Sequence, residues 1–192
     1  MTDIRAKMFN RRASGAQFKP DDVVRSLSLS PGQTVADIGS GGGYYSFRFA
    51  QIVGKSGRVY AVDTNQGLLD YVRRQGAEKG LSRLETVLTD GFPSAIPEES
   101  LDLVFVRNVY HHLPDPAGYF AEMKKRLRPK GRAVIIDYSE KSGGISFRSL
   151  FDHTVSAEKV QQDMARAGYR LEHSYNFISE QYYLVFSPLS TG

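Results

Sequence analysis

The sequence predicts an α/β fold: a three-layer, Rossmann-like, seven-stranded and mostly parallel sheet with a C-terminal antiparallel hairpin. Apolar runs of strand length alternate with longer amphipathic stretches from "TVADIG" to "RAVIIDYS", which is typical of helices wound around a parallel sheet. The run "LDLVFVRN" is almost wholly apolar, as expected for a central strand covered on both faces, lying beside the first strand. The last two segments, "YRLEHSYNF" and "EQYYLVFSP", alternate as the strands of a hairpin do.

The predicted helices carry their own start signals. Pro20 suits the first turn of a helix that precedes the sheet. Asn65 is placed as the N-cap of "NQGLLDYVRRQGAEKG", and Ser156 caps the last helix. Asp115 and Pro116 open a further helix whose last turn is basic, as the helix dipole favours. Between these helices, "GRVYAVD" and "LETVLTD" read as the second and third strands.

Length and composition limit the possibilities. A chain of 192 residues fits one domain, and residues 1–30 are expected to form an arm and a helix that cover the cleft. There is no cysteine, which excludes disulfides, thiolate metal sites and cysteine nucleophiles. No stretch resembles a signal peptide or a transmembrane segment, so a cytoplasmic location is expected. The net charge of +4 is modest, and nucleic acid is therefore not the expected partner.

The stretch "VADIGSGGGYYS" follows the first strand, at the switch point where wound sheets bind ligands. Alternate glycines at 39, 41 and 43 allow close approach of the backbone to a ligand. A dinucleotide fingerprint would require glycine where Tyr44 stands. Asp37 ahead of the glycines would repel a pyrophosphate but suits an ammonium or sulfonium group. The loop is therefore predicted to hold a compact cationic ligand.

Two further acids end neighbouring strands. Asp63 ends the second strand, where a carboxylate can accept hydrogen bonds from both hydroxyls of a ribose. Asp90 ends the third predicted strand in the same direction, although Asp90 and Gly91 also fit an ordinary turn. Together with Asp37, these acids predict a nucleoside-like ligand along the carboxyl edge of the sheet.

At this point the chain resembles the class I S-adenosylmethionine-dependent methyltransferases. The segments "VADIGSGGG", "VYAVD", "LTDGF", "LDLVFVRNVYHHLPD" and "LRPKGRAVIIDY" occur in the order of that family. The nearest subgroup is the small-molecule branch of the ubiquinone and menaquinone biosynthesis methyltransferases, also called methyltransferase type 11. The resemblance implies S-adenosylmethionine as the cofactor and a single class I domain over residues 1–192.

The resemblance also implies roles for individual residues in cofactor binding. Around the methionine end, the ribose and the adenine, the implied contacts are Asp37, Gly39, Gly41, Asp63, Leu68, Asp90, Phe92 and Asn108. Of these, Leu68 and Phe92 would contact the adenine ring, and Asn108 would reach the methionine portion.

The segment after the central strand is expected to face the transferred methyl group. His111 is the candidate base there, and Tyr110, His112 and Tyr44 are candidates for contacts to substrate. A segment packed only by its own rings is the open alternative. No metal is expected, because the adjacent histidines and Asp115 lack further evident ligands.

Three functions stay open at this level. The first is methyl transfer by in-line displacement to a small-molecule or lipid-like acceptor. The second is methylation of RNA or protein, although Asn108 is not followed by the Asn-Pro-Pro-Tyr pattern usual in amino-group nucleic-acid methyltransferases. The third is a non-catalytic protein that binds S-adenosylmethionine or S-adenosylhomocysteine. The loop at residues 140–155 and the N-terminal arm, which would select the acceptor, match no pattern, and the sequence does not indicate the oligomeric state.

Overall fold

The computed structural model describes residues 2–139 and 154–189. The predicted loop falls mostly within residues 140–153 and lies outside the described residues. The helices are α1 (Thr2–Ala13), α2 (Pro20–Ser26), α3 (Tyr44–Val53), α4 (Gln66–Glu78), α5 (Pro116–Arg126) and α6 (Ala157–Arg166). The strands are β1 (Thr34–Ile38), β2 (Arg58–Asp63), β3 (Leu84–Leu88), β4 (Leu101–Arg107), β5 (Leu127–Tyr138), β6 (Tyr169–Tyr175) and β7 (Gln181–Pro188). Two short 3₁₀ turns cover Ala16–Phe18 and Tyr110–His112.

Seven strands form one sheet in the order β3-β2-β1-β4-β5-β7-β6. The pairs from β3 to β5 are parallel, whereas β7 runs antiparallel to both β5 and β6. The predicted fold class is therefore confirmed, including the C-terminal antiparallel hairpin. The central position of β4 is also confirmed, because Val35 and Ala36 of β1 pair directly with Leu103 and Val104.

Helices pack on both faces of the sheet and produce its three layers. On one face, Val23 of α2 and Phe49 of α3 belong to a buried cluster with Phe105 of β4. On the other face, Phe120 of α5 and Met164 of α6 are buried with Val104 and Val106 of β4. The alternation follows from the two-residue period of a strand. It explains why β4 is apolar along almost its whole length.

The predicted helix starts are confirmed. The side chain of Asn65 accepts a hydrogen bond from Leu68 N at 3.1 Å, and Asp115 accepts one from Gly118 N at 3.1 Å. Ser156 caps α6 in the same way. Each cap satisfies a donor that the first turn of a helix leaves unpaired.

Two segments differ from the sequence expectation. The basic arm at the N-terminus is the helix α1, in which Ala6 alone is fully buried, so no apolar stripe in the sequence announces it. The third strand ends at Leu88, and Asp90 lies in the loop that follows. None of the helices in the two described stretches is long and apolar enough to cross a membrane.

Candidate functional site

A cavity of about 560 Å³ opens at the carboxyl ends of β1, β2 and β4. Its walls come from the glycine loop, from the segments after β2, β3 and β4, and from α1 and α5. Ligand sites in proteins commonly have volumes of about 300 to 1,000 Å³. The parallel strands bring these segments together, because their carboxyl ends meet at one edge of the sheet.

The glycine loop has the conformation that its sequence predicts. Gly39, Gly41 and Gly43 have positive φ of 69°, 55° and 81°, a region that other residues rarely adopt. At Gly39 a Cβ would also lie 2.2 Å from Cγ2 of Val109 on the opposite wall. The loop therefore turns sharply and presents backbone, without side chains, at these three positions.

The fourth glycine has a different role. Gly42 has no positive φ, but a Cβ there would lie 2.2 Å from the carbonyl oxygen of Ala6 and 2.4 Å from Oδ1 of Asn10. Asn10 in turn donates from Nδ2 to the Gly42 carbonyl at 2.8 Å. The absence of a side chain at this position thus lets α1 dock directly on the loop.

Asp63 connects the loop to the next element of the site. One carboxylate oxygen accepts from Gly41 N at 2.9 Å, and the other accepts from Asn65 N at 2.9 Å. Each oxygen carries a further lone pair, so the group retains capacity for two ligand hydroxyls. Asp63 lines the cavity, as the expected ribose contact must.

Asp37 lies at the base of the cavity and is 4% exposed. Ser46 donates to its carboxylate at 2.5 Å. The pKa of Asp37 is raised to about 7, mainly by burial. The nearby charge of Asp63 also acts to raise this pKa, whereas the Ser46 hydrogen bonds and Arg107 act to lower it. A carboxylate held in this way favours binding of a cation, because a positive charge offsets the cost of ionising it.

The expected adenine end is only partly as predicted. Asp90 and Leu68 line the cavity, whereas Phe92 does not. Phe92 lies behind Tyr119 at 5.6 Å between ring centroids, and it is Tyr119 that reaches the cavity. The guanidinium carbon of Arg126 lies 5.1 Å from the centroid of the Phe92 ring. Phe92 therefore packs behind the wall of the cavity and does not form its surface.

Asn108 and Tyr44 line the cavity at its centre. The side chain of Asn108 accepts a hydrogen bond from Gln181, and its positive φ of 57° marks a sharp turn directly after β4. Tyr44 begins α3, and Arg48 donates to its hydroxyl at 3.1 Å. Arg48 is itself paired with Asp21 at 2.7 Å.

The three residues of the 3₁₀ turn Tyr110–His112 have side chains that point in different directions. His112 lines the cavity. The side chain of His111 is 6% exposed and turns to Asp137 on β5, with Nδ1 2.9 Å from Oδ2, and it does not line the cavity. Tyr110 is fully buried, donates to Asp163 at 3.1 Å and stacks on Phe120. The structure thus contradicts a substrate contact by Tyr110, which packs the core.

Several cavity residues have no counterpart among the predicted ones. Arg5, Phe9, Asn10 and Arg12 reach the cavity from α1, and no local pattern places this helix there. Arg107 ends β4 and lies over the rings of Phe18 and Tyr45 at 5.0 and 5.4 Å. Its position at the carboxyl end of the central strand is the signal that would have identified it.

The donor set of the cavity suits an organic ligand rather than a metal ion. Within residues 2–139 and 154–189, no group of three or more histidines and carboxylates is placed to hold a metal. The hydroxyls of Ser40 and Tyr119 and Oδ1 of Asn10 are buried at the wall without a hydrogen-bond partner among the described residues. Burial also raises the pKa of Tyr119, which keeps its hydroxyl protonated. Carboxylates, hydroxyls and an amide arranged in this way suit a nucleoside with a cationic side chain, such as S-adenosylmethionine.

Comparison with known proteins gives the same assignment. Residues 36–135 match a family described as a methyltransferase domain. The chain belongs to this methyltransferase family. The predicted class I S-adenosylmethionine-dependent methyltransferase fold and S-adenosylmethionine as cofactor are thereby confirmed.

The methyltransferase domain is similar to two relatives of named activity. It is 26% identical over 159 residues to a ubiquinone/menaquinone biosynthesis C-methyltransferase of Hahella chejuensis, covering 82% of this chain and 63% of the relative. It is 32% identical over 110 residues to an arsenite methyltransferase of Halobacterium salinarum, covering 57% of this chain and 28% of the relative. The chain thus spans less than two thirds of the length of either relative.

Solved structures support the fold. A crystal structure of a SAM-dependent methyltransferase from Aquifex aeolicus has a TM-score of 0.82 and 23% sequence identity, covering 94% of this chain and 95% of the other. At this level of identity the similarity concerns the fold of the methyltransferase domain.

Proposed function

We propose that this methyltransferase domain binds S-adenosylmethionine in the cavity and transfers its methyl group to a small-molecule acceptor. The observation that carries the proposal is the meeting of Asp37, Asp63 and Asp90 with the glycine loop around one cavity. In this proposal residues 1–192 form one domain whose N-terminal helices cover the cleft. The proposal also includes a cytoplasmic location.

Each predicted residue that lines the cofactor half of the cavity has a proposed contact with the cofactor. Asp63 would accept from the ribose hydroxyls, and Asp90 would accept from the adenine amino group beside Leu68. Asp37, Gly39 and Gly41 would frame the methionine portion, near Asn108. Tyr119 takes the place of Phe92 as the aromatic side chain at the wall.

When bound, S-adenosylmethionine supplies a methyl group on a positively charged sulfur, which is already activated for displacement. The protein's contribution is then alignment and exclusion of water. Docking of α1 on Gly42 closes one side of the cavity. The carboxylate of Asp37 also lines the cavity and favours a cationic ligand over a neutral one.

The acceptor half belongs to a cavity of about 560 Å³, and this volume supports a small-molecule acceptor. Its described walls are Tyr44, His112, Leu113 and Pro114, together with the arginines of α1. Arsenite is disfavoured as the acceptor because soft metalloid ions are held by thiolates, and this chain contains no cysteine. A small organic acceptor fits these walls better.

Two measurements test the proposal. Calorimetry should show binding of S-adenosylhomocysteine to the pure protein, and Asp63→Ala should weaken it by about 1 to 3 kcal/mol, the cost of stranding hydrogen-bonding groups. Absence of binding by the wild-type protein would refute the assignment of the site. Incubation with S-adenosylmethionine labelled in its methyl group and with extracted metabolites should then yield a labelled small molecule.

The remaining alternatives correspond to distinct outcomes of the same incubation. Label recovered in RNA or protein, with none in small molecules, would favour macromolecular methylation. Binding of the cofactor with no label transferred to any fraction would favour a non-catalytic binding protein. The expected result is label in the small-molecule fraction alone.

A further inference from the structure

Two adjacent histidines lie at different depths at the end of β4. His112 is exposed and lines the cavity. His111 lies behind it, with Nδ1 2.9 and 3.1 Å from the two oxygens of Asp137. The centroids of the two imidazole rings are 4.0 Å apart. One ring therefore faces a ligand in the cavity, and the other is held against a buried carboxylate.

We propose that His112 is the general base of the reaction and that the acceptor therefore bears a proton to be removed, on a hydroxyl or an activated carbon. The inference rests on the proposed function, because a base is needed only where methyl transfer occurs. His112 thereby takes the role of base that the sequence assigned to its neighbour His111. His111 and Asp137 become positioning residues behind it.

The surroundings of His112 suit a proton acceptor. Partial burial holds the pKa of His112 below its ordinary value, and the neighbouring His111 lowers it further, whereas Asp137 acts in the opposite direction. At neutral pH the ring is then uncharged, which is the form that accepts a proton. Across the cavity the other titratable groups on the wall include Asp90 after β3 and Tyr119 on α5.

The second histidine is fixed rather than mobile. Besides the contacts of its ring, the backbone N of His111 lies 3.4 Å from Oδ2 of Asp137. Asp137 also accepts from Tyr138 N at 2.8 Å and is 2% exposed. A buried carboxylate held by several donors fixes the orientation of the ring in front of it. His112 thus has a rigid neighbour on the side away from the cavity.

The proposed step balances in atoms and charge. As the acceptor atom bonds to the methyl carbon, the carbon–sulfur bond breaks and its electron pair stays on sulfur. The acceptor's proton passes to the free ring nitrogen of His112, which becomes an imidazolium. The positive charge thus moves from sulfur to the imidazole, and no other reactant is required.

Chemical modification tests which histidine faces the cavity. Diethyl pyrocarbonate reacts with accessible neutral imidazoles, and mass spectrometry locates the product at each histidine of the full chain. We expect rapid modification of His112, slow modification of His111, and protection of His112 by S-adenosylhomocysteine. His173 on β6 is exposed and outside the cavity, so the ligand should not protect it. Faster reaction at His111, or no protection at His112, would overturn the proposal.

The role of the two positioning residues requires a separate readout. NMR titration of the imidazole signals should show that His111→Gln raises the pKa of His112, because the electrostatic effect of His111 that lowers this pKa is removed. Asp137→Asn should lower it, because a nearby negative charge is removed. His173→Gln is the matched control and should leave it unchanged. A pKa of His112 that is insensitive to both changes would refute the positioning role.

A protic probe tests the acceptor class. The probe is 4-nitrophenol, and 4-nitroanisole is its analogue without the proton. With the S-adenosylhomocysteine complex at constant pH, we expect tighter binding of the phenol, because its hydroxyl can donate to the neutral imidazole of His112. His112→Gln should lose this preference, whereas His173→Gln should keep it.

The outcomes separate this inference from the proposed function. If 4-nitrophenol does not bind, if 4-nitroanisole binds equally well, or if His112→Gln retains the preference for the phenol, the inference is refuted. In each of these cases, binding of S-adenosylhomocysteine itself would leave the proposed function standing. Failure of S-adenosylhomocysteine to bind the wild-type protein would instead refute the proposed function.

Discussion

Replacement of Asp37 by asparagine tests the electrostatics at the base of the cavity. Asparagine has nearly the same shape and its side-chain oxygen still accepts the hydrogen bond from Ser46, but it carries no charge. Burial raises the pKa of Asp37 from 3.8 to about 7. Because each unit of pKa corresponds to about 1.4 kcal/mol, the folded protein disfavours the ionised form of this carboxylate by on the order of 4 kcal/mol relative to the unfolded chain.

The sign of the pH dependence follows from linkage. Between about pH 4 and pH 7 the carboxylate is protonated in the folded protein and ionised in the unfolded chain, so raising the pH favours unfolding. The stability contributed by Asp37 is complete below pH 3.8 and is lost as the pH rises through about 7. Asp37→Asn lacks this dependence. Relative to wild type, its free energy of unfolding should therefore rise by about 2 to 3 kcal/mol between pH 5 and pH 8.

Urea unfolding of the ligand-free protein at several pH values measures this difference. Asp70→Asn on the surface of α4 controls for the loss of one negative charge. At pH 8 the same Asp37→Asn protein should bind S-adenosylmethionine more weakly than wild type, because the positively charged ligand no longer meets the negative charge of Asp37. A stability difference that stays constant or falls from pH 5 to pH 8 would refute the reasoning.

Two further substitutions test the packing around the site. Gly42→Ala should displace α1, because the new Cβ would meet the Ala6 carbonyl oxygen, and limited proteolysis should then cleave α1 faster. Gly91→Ala is the control, because its Cβ meets no atom within 4 Å. Equal cleavage of the two variants would contradict the docking of α1 on Gly42. Tyr110→Phe should lower the free energy of unfolding by about 0.5 to 1.5 kcal/mol, because the hydrogen bond to Asp163 is lost. Calorimetry should show an unchanged affinity for S-adenosylhomocysteine. A weakened affinity would indicate that Tyr110 contributes to the binding site.

The features that could be predicted from the sequence are those set by local chemistry. The glycine loop, the caps at Asn65 and Asp115 and the apolar β4 each depend on residues close together in the chain. The sequence predicts that the N-terminal arm covers the cleft, but the docking of α1 on the glycine loop could not be predicted, because it depends on the contact of Ala6 and Asn10 with Gly42. That contact joins residues distant in sequence, and the helix itself has no apolar stripe.

The residues after β4 show the same limit at finer scale. Tyr110–His112 form a 3₁₀ turn, in which successive side chains point about 120° apart because one turn takes about three residues. One side chain therefore enters the core, one faces Asp137 and one faces the cavity. The sequence shows that the segment borders the site, but the rotation of the turn decides which ring reaches it. Phe92 differs from Tyr119 for a similar reason, since the loop after β3 sets its depth.

A crystal structure of the protein with S-adenosylhomocysteine tests the central claim most directly. The purine should lie beside Leu68 and Asp90, both ribose hydroxyls should donate to Asp63, and the sulfur should lie near Asn108 on the side of His112. A ligand bound outside this cavity, or bound in it without contact to Asp63, would contradict the proposed site.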